Sequence, residues 1–312
     1  MEVLILGAGI SGTAAAIQLC KAGFRVIIID VSAFPRFRPG ESCHPGIEPL
    51  LKQLGVWEEI DGLDVLRYNR TSICRNGNGA IEYFNDDRSW SGFHFSREVF
   101  DKVLLDKAVS LGACFLPQTK TLKIIFEQDL IRSVVTCKGE FTFDFLIDAT
   151  GSKSISSIKL PLTRKVYSKP VIADYHQVVA IRKHAEKLDS YFEIDNEYWG
   201  YVARLDSTKY SITFSSTNRS LYNSRAFVNK LFGDDYNELI FKSFDTSWKI
   251  TINSTFKNLF LVGDSLMTFD PTSSKGIIKS IMSGIYAAHI LENIKINAIS
   301  DRTGQEAYQN WA

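Results

Sequence analysis

Val3–Leu6 is an unbroken apolar run of strand length, and the polarity pattern changes period directly after it. Gly7-Ala8-Gly9-Ile10-Ser11-Gly12 intervenes, and a helical stretch then continues to Lys21. Gly23 stands where a helix C-cap glycine belongs, and Arg25–Ile29 reads as a second buried strand ending at Asp30. Later segments repeat the alternation of strand and helix. A helix is predicted from Ser96-Arg97-Glu98 towards Leu111, strands over Phe141–Ile147 and Asn258–Val262, and a helix from the 270–277 turn through Ala288. From Lys169 to about Lys249 the period shortens to two. Strands are expected at Val171–Ile181, Tyr191–Ile194, Tyr198–Leu205 and Tyr210–Ser215, with short helices at Ser224–Phe232 and Asp235–Phe244. The pattern implies an α/β fold: a discontinuous Rossmann-type unit (1–168 and 250–312) with an inserted antiparallel-sheet unit (169–249).

The first unit carries chemistry. In a strand–turn–helix–strand arrangement, Gly7 makes the tight turn, Gly9 lets the backbone approach a pyrophosphate and Gly12 lets helix pack on strand. The helix N-terminus offers free N–H groups and a positive dipole to phosphate. Ser11 lies within the same turn. Asp30, at the end of the second strand, is placed to accept hydrogen bonds from a ribose diol. These features specify a dinucleotide without saying which one.

Composition narrows the class. Of 312 residues, 45% are hydrophobic and 23% charged, enough apolar material for a large core without staples. Lys plus Arg number 36 and Asp plus Glu 35, so no polyanion-binding surface is implied and nucleic acid is not the expected partner. The five cysteines form no CxxC pair, which reads as reduced thiols in a cytoplasmic protein without a metal site. No apolar run is long enough for a membrane span, and the chain enters its first strand without a signal peptide.

Three later motifs decide the cofactor. Asp148-Ala149-Thr150-Gly151 follows one strand, Gly263-Asp264-Ser265 follows another, and Asp270-Pro271-Thr272-Ser273-Ser274-Lys275-Gly276-Ile277 opens a helix. Together with the arginine-led helix at Arg97, they resemble the large superfamily of FAD-dependent aromatic hydroxylases and halogenases. The resemblance implies FAD. Gly263 and Asp264 would meet its ribityl chain, Pro271, Ser274, Gly276 and Ile277 its pyrimidine ring, and Arg97 its phosphate or ribityl oxygens. It also implies that the antiparallel sheet covers the flavin. The stretch ending at Ala312 is shorter than the resemblance implies.

Arg38-Pro39-Gly40-Glu41-Ser42, continued by Cys43-His44-Pro45-Gly46-Ile47, is the informative local string. A GES turn here resembles flavin-dependent halogenases and related monooxygenases, and adds Arg38 and Ser42 as cofactor contacts. The longer string, with the 270–277 turn, is most similar to flavoproteins that modify tryptophan during tryptophylquinone cofactor construction. That similarity implies an aromatic monooxygenase using O2. Its substrate would be a tryptophan in a precursor of an amino-acid oxidase or amine dehydrogenase, with NAD(P)H or a separate reductase as electron source. Glu41, His44 and Lys275 are the candidate catalytic residues, although a turn carboxylate capping the helix near Pro45 would itself account for Glu41. Halogenases need a lysine that handles hypohalous acid and a WxWxIP stretch. Residues 71–90 contain no lysine, and Trp199-Gly200-Tyr201-Val202-Ala203-Arg204 lacks the second Trp and the Pro. Both departures weigh against a halide requirement. A halogenase and a flavin-bearing maturation chaperone remain the alternatives.

Overall fold

A computed structural model describes residues 1–39, 42–63, 65–128, 130–181, 188–252, 255–256, 258–269, 271–273 and 275–311. Its first layer is a six-stranded sheet in the order Thr255–Phe256, Leu259–Leu261, Phe145–Asp148, Glu2–Leu6, Arg25–Ile29 and Cys114–Leu116. All neighbours run parallel except the two-residue edge strand. Near-continuous apolar strands such as Val3–Leu6 suit a parallel sheet covered on both faces. Here Val3 and Ile5 join the core beneath the helices, while Leu4 and Leu6 face a second apolar cluster with Ile124, Ile131 and Val134.

The helix Ile10–Lys21 is buried along its whole first half. Only small side chains permit that, because the helix is wedged between the sheet and the helix Gly276–Lys295. A Cβ on Gly284 would stand 2.3 Å from the Ser11 carbonyl oxygen, so glycine sets the approach of these two helices. The helix Asp301–Trp311, absent from the sequence reading, is anchored by Tyr308. That side chain is fully buried and donates to the Leu261 carbonyl at 2.7 Å.

The second layer is a seven-stranded sheet. Its order is Tyr236–Asp245, Ile172–Ala180, Lys209–Ser216, Tyr198–Arg204, Ser190–Ile194, Arg70–Arg75 and Asn78–Tyr83. All neighbours are antiparallel except Ser190–Ile194 with Arg70–Arg75, so the sheet also takes in a hairpin from outside the 169–249 interval. The helix Ser224–Phe232 forms as expected. Asn223 caps it by accepting the Ala226 N–H at 2.8 Å, and Phe227 packs over the sheet where Gly200 leaves room.

Asp235–Phe244 is not a helix. Tyr236–Asp245 is the edge strand, paired with Ile172–Ala180 from Ala180↔Tyr236 to Ile172↔Asp245. Tyr236, Leu239, Ile240 and Phe244 mimic a helical stripe. The ladder offered by the neighbouring strand outweighs that local pattern.

Candidate cofactor and active site

The glycine-rich turn closes at the end of the first strand. Gly7 has φ +104°, and an added Cβ would stand 2.4 Å from the Ala149 carbonyl oxygen. A Cβ on Gly12 would stand 2.1 Å from the Gly7 oxygen. Gly9 differs: its missing Cβ meets nothing closer than Arg36 Nη2, at 3.5 Å. Gly7 and Gly12 are therefore needed by the fold, whereas a Cβ at Gly9 would make only an ordinary contact. Asp30 is buried and braces the turn, accepting the Ala8 N–H at 2.9 Å and the Ser32 N–H at 2.8 Å. Ser11 is also buried, and a Cβ on Gly263 would stand 2.6 Å from its Oγ, so the first and last motifs converge.

Arg36, which the sequence reading passed over, lies at the centre of this cradle. Its Nη2 is 3.5 Å from Asp30, and its guanidinium lies 4.6 Å from the Phe34 ring centroid. Burial lowers its pKa, and its Nε and Nη1 are buried without a hydrogen-bond partner. Buried guanidinium donors are costly to leave unmade, and an anion at this site could satisfy them. A phosphate-bearing group fits it. The signal was present in the sequence as an arginine flanked by phenylalanines just after Asp30. Arg38, by contrast, is exposed.

Arg97 is tied to the protein. Its Nε and Nη2 grip the buried carboxylate of Asp101 at 2.8 and 3.0 Å, and Nη1 donates to the Pro39 carbonyl at 2.9 Å. It thereby holds the turn that carries Ser42. Glu41 and Ser274 lie outside the described residues.

At the other end, Gly263 adopts φ +63° and donates its N–H to Ser283 Oγ at 2.8 Å. Asp264 pairs with Lys279 at 3.0 Å, and its carbonyl accepts from Arg164 at 2.7 Å. Pro271, Lys275 and Gly276 are exposed, whereas Ile277 is buried. Among the described residues no side-chain hydrogen bond caps the helix Gly276–Lys295, and nothing lies within 4 Å of a Cβ on Gly276.

His44 lies among side chains from distant segments. Its ring is edge-on to Phe84 at 5.2 Å and to Trp90 at 5.6 Å. Nδ1 accepts the Gly46 N–H at 3.1 Å, so His44 itself caps the turn Pro45–Ile47. Partial burial, and then the charge of Lys275, lower its pKa. The ring is neutral at pH 7 with its hydrogen on Nε2, which makes His44 a hydrogen-bond donor at that atom. Its candidate role in proton transfer is restricted accordingly.

Among the described residues no helix is long and apolar enough to cross a membrane, and no group of three or more His, Cys, Asp or Glu could hold a metal ion.

Comparison with known proteins accords with this geometry. The sequence profile of a family described as FAD binding domain matches residues 1–229. The tryptophan 2-halogenase of Chondromyces crocatus is 22% identical over 338 aligned positions, covering 99% of this chain and 64% of that protein. LodB of Marinomonas mediterranea, named as an FAD-dependent oxidoreductase, is 25% identical over 329 positions, covering 96% of this chain and 86% of its own length. The structure of the flavin-dependent brominase Bmp2 superposes with a TM-score of 0.87 at 17% identity, covering all of this chain and 83% of that one. The chain spans about a third to two thirds of the length of the first curated relatives it matches.

Proposed function

The chain belongs to the FAD binding domain family, and from that premise we propose that it uses FAD to place an electrophilic atom on an electron-rich aromatic ring, with halogenation as the reaction. FAD is its cofactor. The observation that carries the proposal is the cluster of His44, Phe84 and Trp90 under the charge of Lys275. Similarity to proteins named as halogenases supports the choice of chemistry.

Each group has a task. Gly9 and Arg36 receive the pyrophosphate, and the helix N-terminus at Gly276 faces the ring system. Bound FAD supplies two-electron redox chemistry and, when reduced, the activation of O2. Phe84 and Trp90 offer ring edges to an aromatic substrate, and His44 Nε2–H orients it. The Lys275 ammonium supplies the hydrogen-bond donor that residues 71–90 lack. In the test, the FAD-loaded protein receives a flavin reductase, NADH, O2, bromide and an indole, and products are weighed by mass spectrometry. A brominated indole supports the proposal, and its absence with full flavin turnover overturns it.

A second reading is oxygen insertion into a tryptophan of a quinoprotein precursor, an amino-acid oxidase or amine dehydrogenase. Two observations favour it: the absence of lysine from 71–90, and a relative named as an oxidoreductase rather than a halogenase that aligns over 86% of its length. Under this reading the precursor gains the mass of one or two oxygens when co-expressed with this chain, and bromide has no effect.

A further inference from the structure

Tyr201 stands on the seven-stranded sheet, yet its hydroxyl meets side chains from other segments. Ser42 Oγ lies 2.9 Å from it, His94 Nε2 3.2 Å and Ser190 Oγ 3.3 Å. Ser42 and His94 are cross-strand partners in the short antiparallel pairing of Ser42–Cys43 with Gly92–His94. That pairing brings the serine and the imidazole to one hydroxyl. His94 and Ser190 are buried, and Tyr68 stacks on the imidazole with ring centroids 4.1 Å apart.

One acceptor fixes the direction of the hydrogens. The Arg204 carbonyl oxygen can only accept, and it lies 3.1 Å from His94 Nδ1, so Nδ1 carries the hydrogen. Burial pushes the imidazole pKa down to about 3, which leaves the ring neutral and Nε2 a bare acceptor. Tyr201 therefore donates to His94. Its oxygen is left to accept, and Ser42 Oγ at 2.9 Å is the nearest hydroxyl; Ser190 Oγ, itself 3.0 Å from Thr71 Oγ1, and the Tyr68 hydroxyl also reach it. On the shortest of these contacts Ser42 gives its hydrogen to Tyr201. Its oxygen then serves as an acceptor. Ser42 follows Pro39, whose carbonyl Arg97 holds, by three residues, and Arg36, which lies over Gly9, by six.

We propose that His94 is a positioning residue: acting through Tyr201, it holds the Ser42 hydroxyl as a hydrogen-bond acceptor towards bound FAD. A preset acceptor needs no reorientation when the ligand arrives, which favours binding. The inference rests on FAD as cofactor and is independent of the reaction catalysed, so it and the halogenation proposal fail separately.

The test is a double-variant cycle on FAD affinity, read by flavin fluorescence quenching on apoprotein whose fold is checked by circular dichroism. Tyr201→Phe keeps the ring and frees the Ser42 hydroxyl, whereas Ser42→Ala removes it. Each single variant is expected to weaken FAD about fivefold, the worth of one neutral hydrogen bond. The double variant is expected to lose about fivefold as well, not about twenty-five-fold, because both changes remove one interaction. His94→Gln keeps a donor for Arg204 and an acceptor for Tyr201, so affinity should stay near that of the parent. His94→Leu should lose the same fivefold. Should His94→Leu fail to fold, His94→Gln and the cycle decide. Unchanged affinity in either single variant of the cycle, multiplicative losses in the double variant, or a loss in folded His94→Gln equal to that in Tyr201→Phe would overturn the proposal.

Discussion

At Gly7 and Gly12 the closest crowding atoms are backbone, the carbonyl oxygens of Ala149 and of Gly7 itself. Around His44 they are side chains brought from 40 to more than 230 residues away, Phe84, Trp90 and Lys275. A site crowded by backbone cannot relax, so a substitution there acts through the fold. A site crowded by side chains can lose one member and keep its frame. The cofactor cradle should therefore respond sharply and the aromatic cluster gradually.

The largest effect is expected at Gly12. Its Cβ would meet the Gly7 oxygen at 2.1 Å, so Gly12→Ala should destabilise the protein by about 3 kcal/mol or more, read as a fall in melting temperature. Gly9→Val offers the sharpest break within the same turn. The apoprotein should melt close to the parent, while FAD absorbance near the flavin band is lost, because the branched side chain occupies the approach to the pyrophosphate. Equal FAD affinity in Gly9→Val would remove the cradle assignment.

Arg36→Met comes next. It removes a charge-assisted contact to phosphate, and FAD should bind about tenfold to a hundredfold more weakly by equilibrium dialysis. Apoprotein stability should hold or rise, since a guanidinium with buried, unpartnered nitrogens is no longer desolvated.

At the aromatic cluster the expected effects are smaller. A neighbouring positive charge disfavours the imidazolium, so Lys275→Met should raise the His44 pKa towards its ordinary value of 6.5. NMR titration of the ring checks the sign. Turnover by the parent protein, which uses neutral His44, should fall as pH drops through the His44 pKa. The mildest change is Trp90→Ala. Trp90 is 49% exposed, so stability should shift by about 1 kcal/mol at most, while KM for an aromatic substrate rises a few-fold and FAD affinity holds. A collapse of FAD affinity in Trp90→Ala would erase the distinction between the two regions.

The readings that stood came from local constraints. The tight turn at Gly7 and the helix–strand approach at Gly12 could be assigned from spacing, because turn, strand and helix are neighbours in the chain and their steric requirements concern backbone. Those that failed or were missed needed a partner from elsewhere. The segment 235–244 carries a helical stripe, and only the ladder along Ile172–Ala180 makes it a strand. His94 sits between Phe93 and Phe95, a sign of burial, but nothing nearby in sequence names Tyr201 or the Arg204 carbonyl as its partners.

The sequence by itself determined the strand–turn–helix cradle, the order of the cofactor motifs and the α/β character, since hydrophobic period and glycine sterics act within a few residues. Only the tertiary structure decided that Arg36 packs beside Gly9 and Asp30, that His44 is a donor under the charge of Lys275, and that Ser42 lies against Tyr201. Burial and hydrogen-bond direction set those roles, and both depend on which distant segments pack together.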